Sequence, residues 1–146
     1  MSVRPAEPAD TERIKACVDA AYGPSVARIG RPPAPMLADY AALIAEGKVH
    51  VTGSPIAGLI VFYPRGDHLH VENVAVSPEA RGKGFGRALM RHAEAAAARL
   101  RLGTVELYTH QLMTENISYY NRLGYREIRR GVEDGYPRVW FQKCVT

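Results

Sequence analysis

Arg81-Gly82-Lys83-Gly84-Phe85-Gly86 is the stretch whose residue types and spacing could do chemistry. Its glycines remove side chains where the backbone must approach something closely. Arg81, Lys83 and, just beyond, Arg87 add positive charge. The run is entered from Val71-Glu72-Asn73-Val74-Ala75-Val76, apolar and β-branched, which predicts a strand. It is left through Arg87-Ala88-Leu89-Met90 into a segment reaching Leu102 that is rich in Ala, Leu and Arg, the strong helix formers. Ser77-Pro78-Glu79-Ala80 makes the turn between strand and loop. At such a helix start the first N–H groups lack intrahelical partners and the helix dipole adds partial positive charge, an arrangement suited to a phosphate or pyrophosphate. The plain alternative is a glycine-rich turn carrying solvated basic residues.

Two well-known phosphate loops do not fit. The Walker pattern needs Ser or Thr after Gly-Lys, and Lys83 is followed by Gly84. The dinucleotide fingerprint counted from Gly82 and Gly84 needs glycine where Arg87 stands.

Other residues with chemical potential flank the loop. On a regular strand alternate residues share a face, so His70, Glu72, Val74 and Val76 are expected together. Further on, Asn116 and Tyr120 lie one helical turn apart in a helix predicted over Thr114 to Leu123 and point the same way. Glu72 alone reads equally as a structural carboxylate beside an arginine, His70 as a rim residue, and Tyr119 or Tyr120 as half-buried packing. His50, His68, His92 and His110 show no metal-ligand spacing, so no metal is expected. Cys17 and Cys144 form no paired motif; a reducing cytoplasm is the expected setting, with Cys17 in the core.

The elements that must position these groups can be read along the chain. A short strand at Val3–Ala6 precedes a helix capped by Asp10 or Thr11, with Ile14, Cys17, Val18 and Ala21 on one face. Ser25–Pro35 is irregular, and a second helix is expected over Met36–Ala45. Lys48–Thr52 and Ile56–Tyr63 form a hairpin, His68–Val76 the next strand, and Thr104–Thr109 the strand after the long helix. Tyr125–Arg130 and Arg138–Val145 close the chain as strands around a loop from Gly131 to Pro137. This order predicts one α/β domain spanning 1–146, a mixed sheet of about six to seven strands flanked by about four helices. The 146-residue length and 47% hydrophobic content suffice for a real core. A net charge of +4 without an arginine-rich tail gives little support for nucleic acid, and no apolar run reaches membrane-spanning length.

The pattern Arg-x-x-Gly-x-Gly after a strand resembles the coenzyme A pyrophosphate loop of the GCN5-related N-acetyltransferases, and Arg81 to Gly86 matches it without a gap. Leu107 to Tyr125, ending Leu123-Gly124-Tyr125, resembles the closing motif of the same superfamily, and the element order agrees along nearly the whole chain. The resemblance implies acetyl-CoA as cosubstrate and direct transfer of its acetyl group to a primary amine. It implies that the backbone of Val74, Ala75 and Val76 pairs with the pantetheine arm. Gly82, Lys83, Gly84, Phe85, Gly86 and Arg87, with Arg81, would hold the pyrophosphate. Tyr120 stands where the family has its general-acid tyrosine. Glu72, or else His70, corresponds to the water-relayed base. The family asparagine often sits seven residues before that tyrosine, where this chain has Met113; Asn116 is its nearest equivalent.

The acceptor, a small molecule or a peptide amine, is left open, to be shaped by Tyr22–Pro35 and Gly131–Pro137. Asp39, Glu133 and Asp134 are candidates for attracting a cation. Many relatives are dimers, so a homodimer is compatible. The rival readings are a catalytically weak acyl-CoA-binding or regulatory domain of the same fold, and a nucleotide-binding or interaction module that would leave the Tyr120 segment without a role.

Overall fold

The computed structural model describes residues 2–145. One seven-stranded sheet runs through the molecule in the order β1-β2-β3-β4-β5-β7-β6. Its strands are β1 (Val3–Pro5), β2 (Val49–Thr52), β3 (Gly58–Arg65), β4 (His68–Val76), β5 (Thr104–His110), β6 (Arg126–Glu133) and β7 (Tyr136–Cys144). Every neighbouring pair is antiparallel except β4 and β5, which are parallel. The helices are α1 (Thr11–Tyr22), the single turn α2 (Val26–Ile29), α3 (Tyr40–Ala45), α4 (Phe85–Arg99) and α5 (Thr114–Arg122).

Two apolar layers hold the sheet between helices. On one face Leu89, Met90, Ala93 and Ala97 of α4 pack on Ile60, Leu69, Val71, Val105, Leu107 and Phe141. On the other, Ile14, Cys17 and Val18 of α1 and Tyr40 and Ile44 of α3 cover Val49, Val51, Leu59, Val61 and Ala75. Leu59, Ile60 and Val61 are consecutive and fully buried, because the middle of the sheet is covered on both faces.

Local chemistry shifts several expected boundaries. The second helix begins at Tyr40, not Met36: Asp39 caps it by accepting the Ala42 N–H at 3.1 Å, while Ala34–Leu37 forms a 3-10 turn. Within the irregular stretch, α2 forms and stops at Gly30, whose φ of 90° favours glycine. The expected Gly131–Pro137 loop is strand on both sides of a two-residue turn. Asp134 and Gly135, with φ of 54° and 79°, make the Asp-Gly hairpin that suits right-twisted strands.

Two departures from ideal sheet geometry shape the site. β4 and β5 pair only through Leu69↔Val105, His70↔Glu106 and Val71↔Leu107, and then part. From Glu72 onward β4 keeps only β3 as a neighbour, so the β5 side of Val74, Ala75 and Val76 is an unpaired backbone edge. The second departure is a bulge. Val61 pairs with Asn73 and Phe62 with Val71, which leaves Glu72 as the extra residue. The bulge reverses the alternation. Leu69, Val71, Val74 and Val76 pack on the α4 side, whereas His70 and Glu72 meet Tyr63 and Tyr108 on the other. The expectation that His70, Glu72, Val74 and Val76 share a face is therefore corrected: an inserted residue breaks the period of two.

Candidate active site

Glu72 is the best-connected side chain at the point where β4 leaves β5. His70 Nε2–H donates to its Oε2 at 2.6 Å, the Tyr63 hydroxyl donates to the same oxygen at 3.0 Å, and the Tyr108 hydroxyl donates to Oε1 at 3.1 Å. The His70 bond, outweighing partial burial, holds the Glu72 carboxyl down at about 2, with the two phenols contributing in the same direction. Tyr63 and Tyr108 pay the opposite electrostatic cost: burial first, and then Glu72, raise both phenols, Tyr63 to about 12. His70 is only 3% exposed, its ring stacked on Tyr108 with centroids 5.7 Å apart.

In front of this cluster lies a cleft partly open to solvent. Its walls bring together Glu72 and Val74 of β4 with Asn116 and Tyr120 of α5, with Val71 and Leu107 at its floor where the two strands part. His70 does not line it and acts on it only through Glu72. Tyr120 is half-buried, its ring edge-on to Tyr125 and tilted against Phe141, and burial raises its phenol above the ordinary value. The Asn116 amide donates to Thr109 Oγ1 at 3.2 Å, which fixes the side chain on β5. The Tyr22 hydroxyl sits 2.7 Å from both Asn73 Oδ1 and the Val74 carbonyl, tying α1 to the unpaired segment of β4.

The glycine loop follows at the far end of that segment. Gly82 and Gly84 have φ of 79° and 88°, and Gly84 is the residue from which α4 starts. Gly86 lies against α5: a Cβ there would come within 2.9 Å of the Tyr119 hydroxyl, which would have to shift, and 3.7 Å of Val76. The loop is exposed and borders both the end of β4 and α5. Lys83 and Arg87 are exposed, while Arg81 reaches back to the Ala21 carbonyl at 3.3 Å. Phe85 lines a separate depression with Arg4, Thr52 and Gly53, so what it offers the loop is its backbone. A side-chain-free cradle, the first N–H groups of a fifteen-residue helix and flanking cations fit a pyrophosphate. The adjacent unpaired strand edge fits an extended amide-bearing arm.

Sequence reasoning missed several residues of the site. Tyr63 and Tyr108 carried no local signal, since only the fold brings them to Glu72. Tyr119, expected to be packing alone, closes the glycine loop at Gly86. Arg138 had a readable sign: a lone arginine at the head of Val139-Trp140-Phe141, with only 4% exposure in the folded chain. Its guanidinium lies 4.0 Å from the centroid of the Tyr108 ring, and its Nη1 donates to Glu133. Asp134 Oδ2 stands 3.9 Å from the same nitrogen, and the Asp134 carbonyl accepts from Arg31 at 2.9 Å. Asp39 caps α3. Of the three acidic residues expected to attract a cation, Asp39 and Glu133 are thus hydrogen-bonded within the protein, while the Asp134 carboxylate stays exposed. Among the described residues, no group of three or more His, Cys, Asp or Glu is arranged to hold a metal ion, and no helix is long and apolar enough to cross a membrane.

Comparison with known proteins agrees with this geometry. The acetyltransferase (GNAT) family model matches residues 20–125, from the end of α1 through Tyr125. The fold superimposes on PaiA N-acetyltransferase from Thermoplasma acidophilum, solved with coenzyme A, with a TM-score of 0.82, 14% identity and 98% of each chain covered. It also superimposes on ribosomal-protein-alanine N-acetyltransferase from Brucella melitensis, with a TM-score of 0.75, 20% identity and 99% of each chain covered. A GCN5-related N-acetyltransferase from Rhodopseudomonas palustris gives 0.78 at 18% identity, covering 98% of this chain and 94% of the other. No curated protein matches the chain in sequence. With a family model spanning the parted strands, the glycine loop and the Tyr120 helix together, the chain belongs to the GNAT family of acetyltransferases.

Proposed function

We propose that the protein is an N-acetyltransferase that takes an acetyl group from acetyl-CoA and passes it to a primary amine of a small molecule or peptide by direct attack. The observation that carries this reading is the parting of β4 and β5 at Val71↔Leu107. It leaves an unpaired strand edge that runs from Glu72 in the cleft toward the glycine loop.

The bound coenzyme would supply the activated thioester. The chain supplies the rest. Gly82 to Arg87, with Arg81 behind them, receive the pyrophosphate through backbone N–H groups and positive charge. The open edge of Val74, Ala75 and Val76 receives the pantetheine arm, and the Val76 N–H polarises the acetyl carbonyl. Tyr22, bonded to the Val74 carbonyl, keeps that edge in place. Asn116 lines the wall beside Tyr120.

The amine must lose a proton and the thiolate must gain one. Glu72 is ionised at neutral pH and holds the approaching ammonium in the cleft. Three donors make the carboxylate weakly basic by itself, so the base is the Glu72–His70 pair acting as one unit, with water relaying the proton. Tyr120, protonated throughout the neutral range, donates to the leaving thiolate. Holding the amine against the thioester supplies much of the rate enhancement.

Calorimetric titration with acetyl-CoA, beside Gly84→Glu, tests the reading. Binding to the wild type that is lost in the variant supports it, because a glutamate there both blocks the loop and repels pyrophosphate. Absence of binding to the wild type would sink it. Release of free thiol with an amine panel then separates an enzyme from a domain that only binds acyl-CoA.

A further inference from the structure

The same cleft carries an assembled cationic wall opposite Glu72. Arg138 lines it with its side chain 5% exposed. Glu133, itself half-exposed on the hairpin, takes Nη1. Among the described residues, Nε and Nη2 of this buried guanidinium have no hydrogen-bond partner, yet neither is sealed from solvent. A largely buried guanidinium whose remaining N–H edge opens on a cleft offers paired donors to a planar anion such as a carboxylate. A second cation stands near the rim, across Tyr136. The Arg31 guanidinium lies 3.5 Å from the centroid of the Tyr136 ring, and Arg138 lies 5.5 Å from the same centroid. His110, on the same wall, is driven toward its neutral form by burial and then by Arg31 and Arg138, as expected where positive potential prevails. Tyr108 separates this wall from Glu72: its hydroxyl donates to the carboxylate while its ring supports Arg138. Positive and negative ends of the cleft thus stand one tyrosine apart.

We propose that the acceptor is an amine bearing its own carboxylate, of free amino-acid type, with the carboxylate received by the open edge of Arg138 and the ammonium by Glu72. This rests on the acetyltransferase reading and narrows it. A polycation such as a polyamine would place a second positive charge against Arg138, while Glu133, the carboxylate bonded to that guanidinium, is already engaged. The transfer is otherwise as described: the nitrogen–acetyl carbon bond forms, the carbon–sulfur bond breaks, the amine proton leaves through the Glu72–His70 pair, and Tyr120 protonates the sulfur.

The test measures free-thiol release from acetyl-CoA with each protein amino acid, its primary amide, its decarboxylated amine, and spermidine. The expected result is a kcat/KM for at least one acid about tenfold or more above its amide, with spermidine poorer still. In Arg138→Gln that acid-to-amide ratio should collapse toward one, mainly through KM, and Arg138→Lys should retain part of it. The wild-type ratio stands even if both variants fold poorly. An amide, decarboxylated amine or spermidine used as well as or better than every acid overturns the inference while leaving the acetyltransferase reading intact. If no amine releases thiol, the CoA complex is titrated with the amino acids and their amides, and lack of preference overturns it equally. Failure of acetyl-CoA to bind at all is the distinct outcome that removes both.

Discussion

His70 and Glu72, two residues apart on β4, meet through a hydrogen bond of 2.6 Å on the face of Tyr63 and Tyr108, while the bulge at Glu72 sends Val74 and Val76 to the opposite face. The consequence is a carboxylate that stays ionised down to about pH 2. Glu72→Gln should lower kcat/KM by roughly a hundredfold or more, the scale of a lost acid–base group. The stability effect has a definite sign. Glu72 binds protons more weakly folded than unfolded, so its stabilisation is present above its ordinary value of 4.5 and disappears as pH falls toward 2. Chemical denaturation from pH 5 to 2.5 should therefore show a steeper loss in the wild type than in the variant. Parallel curves would remove the claim that His70 and the phenols stabilise the ionised form.

A steric relationship governs the glycine loop. With its hydroxyl 2.9 Å from where a Gly86 Cβ would sit, Tyr119 must shift to admit alanine. Gly86→Ala should cost about 1 kcal/mol of stability, as overpacking does, and weaken acetyl-CoA binding by about tenfold through displacement of the loop. Tyr119→Phe removes the offending oxygen, and the next ring atom is 3.7 Å away, an ordinary contact. The double variant should recover most of both losses in thermal melts and calorimetry. Additive losses would mean that the hydroxyl is not what Gly86 makes room for.

The reach of sequence reasoning follows the range of the interactions involved. Strand β4, helix α4 and the loop between them were legible because their signals are local: β-branched residues, helix formers and clustered glycines. Asp39 and Asp134-Gly135 were equally local and were misread, one as lying inside a helix starting at Met36, the other as part of a longer loop. The bulge at Glu72 was not readable, because it exists only in the register of β4 against β3. The same holds for Tyr63, Tyr108 and Arg138, which meet Glu72 or one another only after β4, β5 and β7 are placed side by side.

Tyr120 makes a sharper claim than its neighbours in the cleft. Burial raises its phenol, so the proton is in place at every neutral pH and is available to a departing thiolate. Tyr120→Phe should lower kcat by about a hundredfold while acetyl-CoA affinity changes by about twofold or less. Single-turnover kinetics separate the two: the acetyl-transfer phase slows, and the binding phase does not. Equal losses in affinity and rate would instead make Tyr120 part of the coenzyme wall.

His50 lies away from the cleft and gives a pH prediction of its own. It stacks on Phe62 with centroids 4.8 Å apart, has His92 at 4.9 Å, and leaves its Nδ1 buried without a partner. Burial above all, then the neighbouring His92 and Arg99, lowers it from 6.5 to about 4. The folded chain therefore resists a proton that the unfolded chain accepts, and stability falls as pH drops from 6.5 toward 4. His50→Phe keeps an aromatic ring against Phe62 and removes both the orphaned nitrogen and the titration. It should raise stability by about 1 to 2 kcal/mol at pH 5, less at pH 8, with acetyl-CoA affinity unchanged. Thermal melts across that range decide the matter: a gain that does not grow with falling pH would show that packing, rather than the suppressed charge, is what the substitution alters.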